Sequence, residues 1–478
     1  MKCRPLPVVL TFMMLWILTA EPLLAQENKP TVFIHASLIP MTSETVLPDQ
    51  TVVVHGKQIT AVGSGNQTAL PHNATVIDCN HAYLIPGLAD MHMHLRNNWM
   101  SDAWPVSPLN LYLANGVTTI RCFGPMGKSG QYALTWRKDI DSGRLAGPRI
   151  LTCGPQMRGH FNTNPEHIVI RQKYQRFDFV KIYSYVTRNE YHTIVSTAKK
   201  LDFYTAGHIP FQVGLDGVLA EGMDEIAHIE ELLWEFSEFD RGRYFDSEGE
   251  WMTYVIRDTF QALEPYLALM PQERERKLDA MVAPVVGKFK GLAIPVCTTL
   301  VVDDVIVQKL FEMDLFLQRP EIRYMPKGYI ESLLAGDEKH QRQFKGGEVF
   351  APFKYALDKK LLTGLKSMGQ PLLLSTDAGT GGMGIVPGFS LHDELEILVE
   401  NGFTPYEAIA AGTSVASKVV GRMNGQDDFG TILPGKRADL LLVEQNPLED
   451  VANTRKIGGV MAAGKWYDRK ALASMIAP

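Results

Sequence analysis

Two histidines stand two residues apart in the segment GLADMHMHL, where His92 and His94 follow Asp90 at the end of an apolar run. The longer segment HAYLIPGLADMHMHL is typical of a buried strand that is entered through a Pro-Gly turn. Residues two apart on a strand share a face, so we expect the two imidazoles to project side by side. Paired imidazoles suit a metal ion, and the simpler alternative is a pair of polar residues at a strand end.

Four further polar residues stand in or at the end of other apolar segments: Lys181 in FDFVKIYS, His208 in FYTAGHI, His228 in EIAHIEEL and Asp377 in PLLLSTDAG. Taken singly, His208 is explained as a satisfied core histidine and Asp377 as a turn residue. Lys181 is harder to explain by packing, because a lysine inside an apolar strand is costly unless it is paired. If these segment ends lie together, the six residues predict a metal centre.

The elements that position these side chains are predicted from alternating strand-like and helical segments over residues 85–428. The eight candidate strands are LIPGLADMHMHL, GVTTIRCFG, GPRILTCGP, FDFVKIYS, FYTAGHI, EIAHIEEL, LAIPVCTTL and PLLLSTDAG. Such a pattern indicates βα units and a parallel sheet, and eight of them close naturally into a (β/α)8 barrel. Barrel enzymes carry their catalytic groups at the carboxyl ends of the strands, where these residues stand.

The segments on either side of the predicted barrel are rich in short β-type runs. They cover residues 26–84 and 429–478 and predict one small sheet domain built from both ends of the sequence. Two long connections, residues 236–290 and 303–368, have helical periodicity and mixed charge. We interpret them as helices packed on the barrel, some of them shared with a lid over its mouth.

Composition and the amino-terminal residues narrow the class of protein. The 478 residues are 45% hydrophobic and 21% charged, with a net charge of −6, which argues against nucleic acid as the default partner. Lys2 and Arg4 precede an apolar run over residues 6–20, and Ala25 offers a cleavage point. Residues 1–25 are therefore interpreted as a signal peptide, with an uncleaved anchor as the alternative. We expect an exported mature chain, periplasmic or secreted, without stable membrane insertion.

The four cysteines that follow the predicted signal peptide are scattered along the sequence, which indicates neither a zinc ribbon nor a dense disulfide scaffold. They are Cys79, Cys122, Cys153 and Cys297, and the sequence leaves open whether any two of them pair. Asn66 and Asn73 fit the glycosylation pattern, which matters only in a eukaryotic secretory pathway.

The chain resembles the amidohydrolase superfamily, in particular its imidazolonepropionase-like and Xaa-Pro dipeptidase-like members. The resemblance covers about residues 31–470 and rests on the motifs LIPGLADMHMHL, FVKIY, AGHI, EIAHIEE, LLLSTDAG, TPYEAIAAGTSVASKVVG and GTILPGKRADLLLVEQNPLEDV. It implies an α/β fold, a (β/α)8 TIM barrel with a small β-sandwich domain formed from both termini. It also implies two zinc ions, held by His92, His94 and Asp377 and by His208 and His228, with Lys181 bridging them as an N6-carboxylated carbamate.

The resemblance further implies roles for residues around the metals. Zinc lowers the pKa of bound water to about 7, and Asp377 would pass the proton to the leaving nitrogen. The family often has a Gly-His pair that contacts the scissile group, and His160 in QMRGHFN is the candidate here. Tyr183 shares a strand face with Lys181 and is able to donate a hydrogen bond to the substrate carbonyl. Arg158 is a weaker candidate, since an exposed arginine is usually only solvated.

The sequence therefore predicts an exported, zinc-dependent amidohydrolase that cleaves the amide bond of a small substrate, such as a dipeptide or an N-acyl amino acid. One alternative applies the same centre to a cyclic amide, a lactone or an ester. Another is a non-catalytic binding protein on an inactive barrel. Glu230 and Glu231, in HIEEL, are interpreted as charges at a helix start. Side-chain preference, native metal and a homo-oligomeric state stay open.

Overall fold

The computed structural model describes residues 29–65, 67–101, 104–125, 130–379 and 383–477. The predicted signal peptide and Asn66 lie outside these ranges. The described strands, β1 to β16 in chain order, are Thr31–Leu38, Leu47–His55, Gln58–Ser64, Thr75–Asp78, Tyr83–Pro86, Leu88–Met93, Val117–Cys122, Arg149–Thr152, Val180–Ile182, Thr205–Gly207, Glu225–Ile226, Val296–Cys297, Leu372–Leu373, Leu440–Val443, Ile457–Ala462 and Lys465–Asp468. The described α-helices, α1 to α16, are Pro108–Ala114, Gln131–Asp141, Pro165–Tyr174, Arg188–Lys200, Gly214–Glu221, Glu248–Leu267, Pro271–Gly287, Val301–Phe311, Met313–Gln318, Lys327–Leu334, Lys339–Gln343, Phe350–Ser367, Phe389–Glu400, Pro405–Ala411, Ser414–Asn424 and Arg469–Met475.

Each of the eight strands predicted for the barrel is present, as β6 to β13. They form two parallel sheets in chain order, β6-β7-β8 and β9-β10-β11-β12-β13. Isolated parallel bridges link the sheets at both junctions, from Cys153 to Phe179 and from Met93 to Ala378. The prediction of an α/β fold is confirmed and the arrangement is TIM-barrel-like, while the closed barrel stays a prediction.

Strands from both ends of the sequence share one further sheet, with the order β16-β15-β14-β5-β1-β2-β3 and β4 beside β1. β14 lies antiparallel to β5, which places residues 440–443 beside residues 83–86. The described residues show this as one sheet, so the two layers of a β-sandwich stay a prediction.

The segment HAYLIPGLADMHMHL is not one strand, and the expected Pro-Gly turn is wrong. The chain passes from β5 in one sheet to β6 in the other through Gly87, whose N–H donates to the Asp439 carbonyl over 2.9 Å. A Cβ at position 87 would lie 2.3 Å from Thr118 Oγ1, so close packing accounts for the glycine here.

The two long connections are helical, as predicted. The first contains α6 and α7, the second contains α9 to α12 with most of α8, and α12 packs against both α7 and α8. None of the helices that the structure describes combines the length and apolarity needed to cross a membrane. The four described cysteines are buried and unpaired by disulfides.

Candidate metal centre

The six predicted ligand residues lie either near the carboxyl ends of five strands or in the segments that directly follow these strands. His92 lies in β6, Lys181 in β9, and His208 directly after β10. His94, His228 and Asp377 follow β6, β11 and β13 within a few residues. His92 and Lys181 have no exposed surface, so these polar groups lie in the interior.

The four imidazoles form a continuous chain of ring contacts. The ring centroids of His94 and His92 are 5.4 Å apart, those of His92 and His228 4.2 Å, and those of His228 and His208 5.1 Å. Phe123 lies between the histidines and Lys181. Its ring stacks on His92 with a centroid distance of 3.9 Å, and Lys181 Nζ lies 4.9 Å from its centroid. The structure therefore brings the histidines and Lys181 together.

Asp377 completes a three-residue group with His92 and His94, whose ligand atoms all lie within 4.8 Å of one another. Asp377 Oδ1 is 3.0 Å from His94 Nε2 and 3.5 Å from His92 Nε2. The aspartate has φ of 57°, and its N–H donates to the His92 carbonyl over 2.8 Å. A left-handed conformation outside glycine is uncommon, and here the backbone contact to the neighbouring strand holds it.

Each histidine makes a contact through Nδ1 that leaves Nε2 for another partner. The Nδ1 contacts are His92 to the Ala227 carbonyl at 3.0 Å, His94 to the Gly124 carbonyl at 3.2 Å, His228 to Thr299 Oγ1 at 3.1 Å, and His208 to Glu231 Oε1 at 2.9 Å and Ser184 Oγ at 2.6 Å. Metal-bound histidines are oriented in this way, with the distal nitrogen fixed by a carbonyl, hydroxyl or carboxylate. The donor set fits a metal ion that binds nitrogen and oxygen.

Within the six candidate ligand residues, two buried side-chain nitrogens have no hydrogen-bond partner among the described residues: His92 Nε2 and Lys181 Nζ. An unpaired buried ammonium is expensive, and burial lowers the pKa of Lys181 to about 8. A larger fraction of the amine is therefore neutral at physiological pH than in an exposed lysine. Both orphaned nitrogens are accounted for if the site holds a metal and a modified lysine.

The protonation states of the other residues also suit metal binding. Burial lowers the pKa of His228 to about 4 and the pKa values of His92 and His208 well below their usual range. These imidazoles are thus neutral, which is the form that binds metals. Burial by itself would raise the pKa of Asp377, but the hydrogen bond and charge of His94 hold it below its usual value. Asp377 is therefore a carboxylate.

The other predicted site residues are Tyr183, which lies beside His208, Arg158, which lies beside Tyr183, and His160, which lies beside Tyr185. Tyr183 stacks on His208 with a centroid distance of 4.4 Å, and the Arg158 guanidinium lies 4.2 Å above the Tyr183 ring. Arg158 also pairs with Glu248 at the start of α6. His160 is exposed and stacks on Tyr185 at 4.4 Å. Tyr183 thus contacts the candidate ligand His208 directly, while His160 contacts Tyr185, two residues after Tyr183.

Sequence reasoning missed the residues that orient the histidines, and Glu231 is the clearest case. It lies at the start of a 3₁₀ helix, Ile229–Phe236, as expected of a helix-start charge, but its carboxylate contacts His208. Glu230 forms an ion pair with Lys354 at 3.0 Å. The only sequence signal was the position of Glu231 three residues after His228, which does not reveal a contact with His208.

A TIM-barrel-like fold with a His-x-His pair and an aspartate at the strand ends is the arrangement of metal-dependent hydrolases. The family model described as the amidohydrolase family matches residues 358–467. This match confirms the resemblance to the amidohydrolase superfamily that the motifs predicted, and it supports a hydrolase that acts on carbon–nitrogen bonds. No curated protein matches the sequence.

Solved structures show the same fold. A bottromycin amidohydrolase is 20% identical, with a TM-score of 0.63 over 96% of this chain and 92% of that chain. A Xaa-Pro dipeptidase with bound methionine in its active site is 20% identical, with a TM-score of 0.60 over 92% of this chain and 100% of that chain. An A. niger ochratoxinase is 18% identical, with a TM-score of 0.58 over 92% of this chain and 96% of that chain. At these identities the likeness is one of fold.

Proposed function

We propose that this protein is an exported, zinc-dependent amidohydrolase that cleaves the amide bond of a small substrate, such as a dipeptide or an N-acyl amino acid. The observation that carries the proposal is the set of buried donors, in which imidazoles with fixed Nδ1 atoms accompany a carboxylate and an unpaired lysine amine. The solved structures of a Xaa-Pro dipeptidase and of a bottromycin amidohydrolase share this fold, which supports the choice of an amide substrate.

Two zinc ions are proposed, and the two sheets are proposed to form one (β/α)8 barrel around them. His92, His94 and Asp377 would hold one ion, and His208 and His228 the other, with carboxylated Lys181 between them. When bound, zinc supplies an acidified water and polarises the substrate carbonyl.

The chain's own residues supply proton transfer and orientation. Asp377, held as a carboxylate by His94, takes a proton from the attacking water and returns it to the leaving nitrogen. Burial raises the pKa of Tyr183 to about 12, so its hydroxyl keeps its proton and is able to donate a hydrogen bond to the carbonyl oxygen. His160 is proposed to contact the substrate from the loop after β8.

The test is hydrolysis of dipeptides and N-acyl amino acids by the purified protein, before and after removal of metal by a chelator. We expect amide cleavage that the chelator abolishes and zinc restores, with the Asp377→Asn variant inactive. Cleavage of lactones or esters alone would favour the alternative chemistry. Activity that survives complete metal removal would contradict the proposal.

Export is tested separately by mass spectrometry of the protein recovered outside the cytoplasm. We expect an amino terminus near Gln26. Recovery of a membrane-bound form that retains Met1 would contradict both cleavage and a freely exported product.

A further inference from the structure

Asp90 has no role in the proposed mechanism, although it begins the segment DMHMH that carries His92 and His94. Its side chain lies in β6 and has no exposed surface. A buried carboxyl group is costly unless hydrogen-bond donors offset its desolvation. The donors that contact Asp90 therefore indicate what the side chain does.

Four donors among the described residues meet at the Asp90 carboxylate. Oδ1 accepts from the backbone N–H of His92 and from that of Thr376, each over 3.2 Å. Oδ2 accepts from Thr376 Oγ1 over 2.6 Å and from the Tyr112 hydroxyl over 3.1 Å. Three of these donors belong to His92 or to the residue before Asp377. The carboxylate thus joins two chain segments that carry candidate ligands of the same metal ion.

Thr376 extends this connection to the other side of Asp377. Its Oγ1 donates to Asp90 and also accepts from the Ala378 N–H over 3.1 Å. The backbone before and after Asp377 is therefore tied to Asp90, directly at Thr376 and through the hydroxyl at Ala378. Asp377 has φ of 57°, and such a conformation persists only where the surrounding contacts fix it. Asp90 and Thr376 supply contacts of this kind.

The strand of His92 is irregular at the same place. Asp90 lies opposite Ile120 of β7 and Met93 lies opposite Cys122, so β6 contains one more residue than β7 over this interval. Such a bulge re-aims side chains, and bulges are common beside active sites. The position of the His92 imidazole therefore depends on contacts that hold the bulge, and the N–H of His92 donates to Asp90.

We infer that Asp90 is a positioning residue, which holds the His-x-His strand and the Asp377 turn at the separation that one metal ion requires. Both carboxylate oxygens are occupied by the donors described above, so Asp90 acts through the backbone of His92 and Thr376 and not as a ligand. The inference rests on the proposed function, because it concerns the same metal centre.

Zinc affinity, measured by competition with a metal buffer, tests the inference without turnover. Asp90→Asn keeps the shape of the side chain but replaces one acceptor oxygen with an amide nitrogen, and we expect zinc to bind about 10- to 100-fold more weakly. Thr376→Val removes the hydroxyl at nearly constant volume and should weaken zinc binding by about 10-fold. Thr376→Ser restores the hydroxyl and should bind zinc within about threefold of wild type.

Thr454→Val is the matched control for Thr376→Val. Thr454 has no exposed surface, and its Oγ1 lies 2.8 Å from His392 Nδ1. It belongs to a 3₁₀ helix, Val451–Arg455, which contains none of the candidate ligands. Urea unfolding of the metal-free proteins measures the stability of each variant. We expect both valine variants to lose stability, and only Thr376→Val to lose zinc affinity.

Two results would overturn the inference. One is zinc affinity within about threefold of wild type in Thr376→Val or in a folded Asp90→Asn protein, and the other is equal weakening of zinc binding by Thr454→Val. If Asp90→Asn does not fold, the two Thr376 variants carry the test.

The positioning role and the proposed function fail differently. The expected order of zinc affinities without hydrolysis of any amide contradicts the proposed function and leaves the positioning role in place. Zinc-dependent amide hydrolysis with unchanged zinc affinity in Thr376→Val contradicts the positioning role alone.

Discussion

Replacing Lys181 with methionine should change stability in opposite directions with and without metal. In the metal-free protein the lysine has no exposed surface and Nζ has no hydrogen-bond partner among the described residues. Methionine fills a similar volume without a charge to desolvate. Exchange of buried ionic groups for apolar ones often stabilises proteins by about 1–4 kcal/mol, and we expect a gain of this size in metal-free Lys181→Met.

With zinc present, we expect the wild-type protein to be more stable than Lys181→Met. A ligand that binds only the folded state at about 1,000 times its Kd stabilises it by about 4 kcal/mol, and the variant without its bridging lysine should lose most of this. The assay is urea unfolding of both proteins in metal-free and zinc-saturated buffer, with bound metal counted by elemental analysis. Lys200→Met, at an exposed lysine of α4, is the control and should stay within about 0.5 kcal/mol of wild type.

Two results would refute separate parts of the reasoning. A metal-free Lys181→Met protein no more stable than wild type refutes the argument from burial. A variant that binds two zinc ions and turns over normally refutes the bridging role. Lys181→Glu should retain more zinc than Lys181→Met, because a carboxylate partly replaces the carbamate.

Three further predictions concern other residues. Glu231→Gln should weaken zinc affinity by about 10- to 100-fold in a metal-buffer competition, because Glu231 orients His208; equal weakening by the control Glu230→Gln would contradict this. His160→Ala should lower kcat/KM by roughly 100-fold with unchanged metal content. Wild-type kinetics in this variant would show that His160 is a surface residue without a role in the reaction. Burial raises the pKa of Glu394 to about 8, so its contribution to stability is present below about pH 4.5 and lost as the pH rises through about 8. Glu394→Gln should therefore flatten the pH dependence of urea unfolding over this range, and an unchanged profile would contradict the assignment.

The strands and the grouping of the candidate ligand residues were predictable because local rules govern them. Alternation along a strand places His92 and His94 on one side, and a lysine within an apolar strand, as at Lys181, signals an unusual environment. The rule that barrel strands end at the site then brings distant segments together. These arguments need only the neighbours of each residue along the chain.

The orientation of the ligands was not predictable, because it depends on contacts between distant segments. The Ala227 carbonyl, directly after β11 and 135 residues later in the chain, contacts His92. Ser184 in the loop after β9 and Glu231 in the 3₁₀ helix both contact His208. The division of the first predicted strand at Gly87 likewise follows from its packing against Thr118. No periodicity in the sequence encodes these distances.

The pairing of β5 with β14 has a consequence for the order in which the protein matures. β5 leads through Gly87 into the strand of His92, and its antiparallel neighbour is made some 350 residues later, with Leu441 opposite Ile85. Ribosomal synthesis is vectorial, so this support for the first ligand strand is missing from every nascent chain that has not reached residues 440–443. Such late, long-range pairing slows folding and leaves strand edges exposed in the interim. Metal capture should therefore follow completion of the polypeptide, and chains truncated before β14 should be clients of chaperones and proteases.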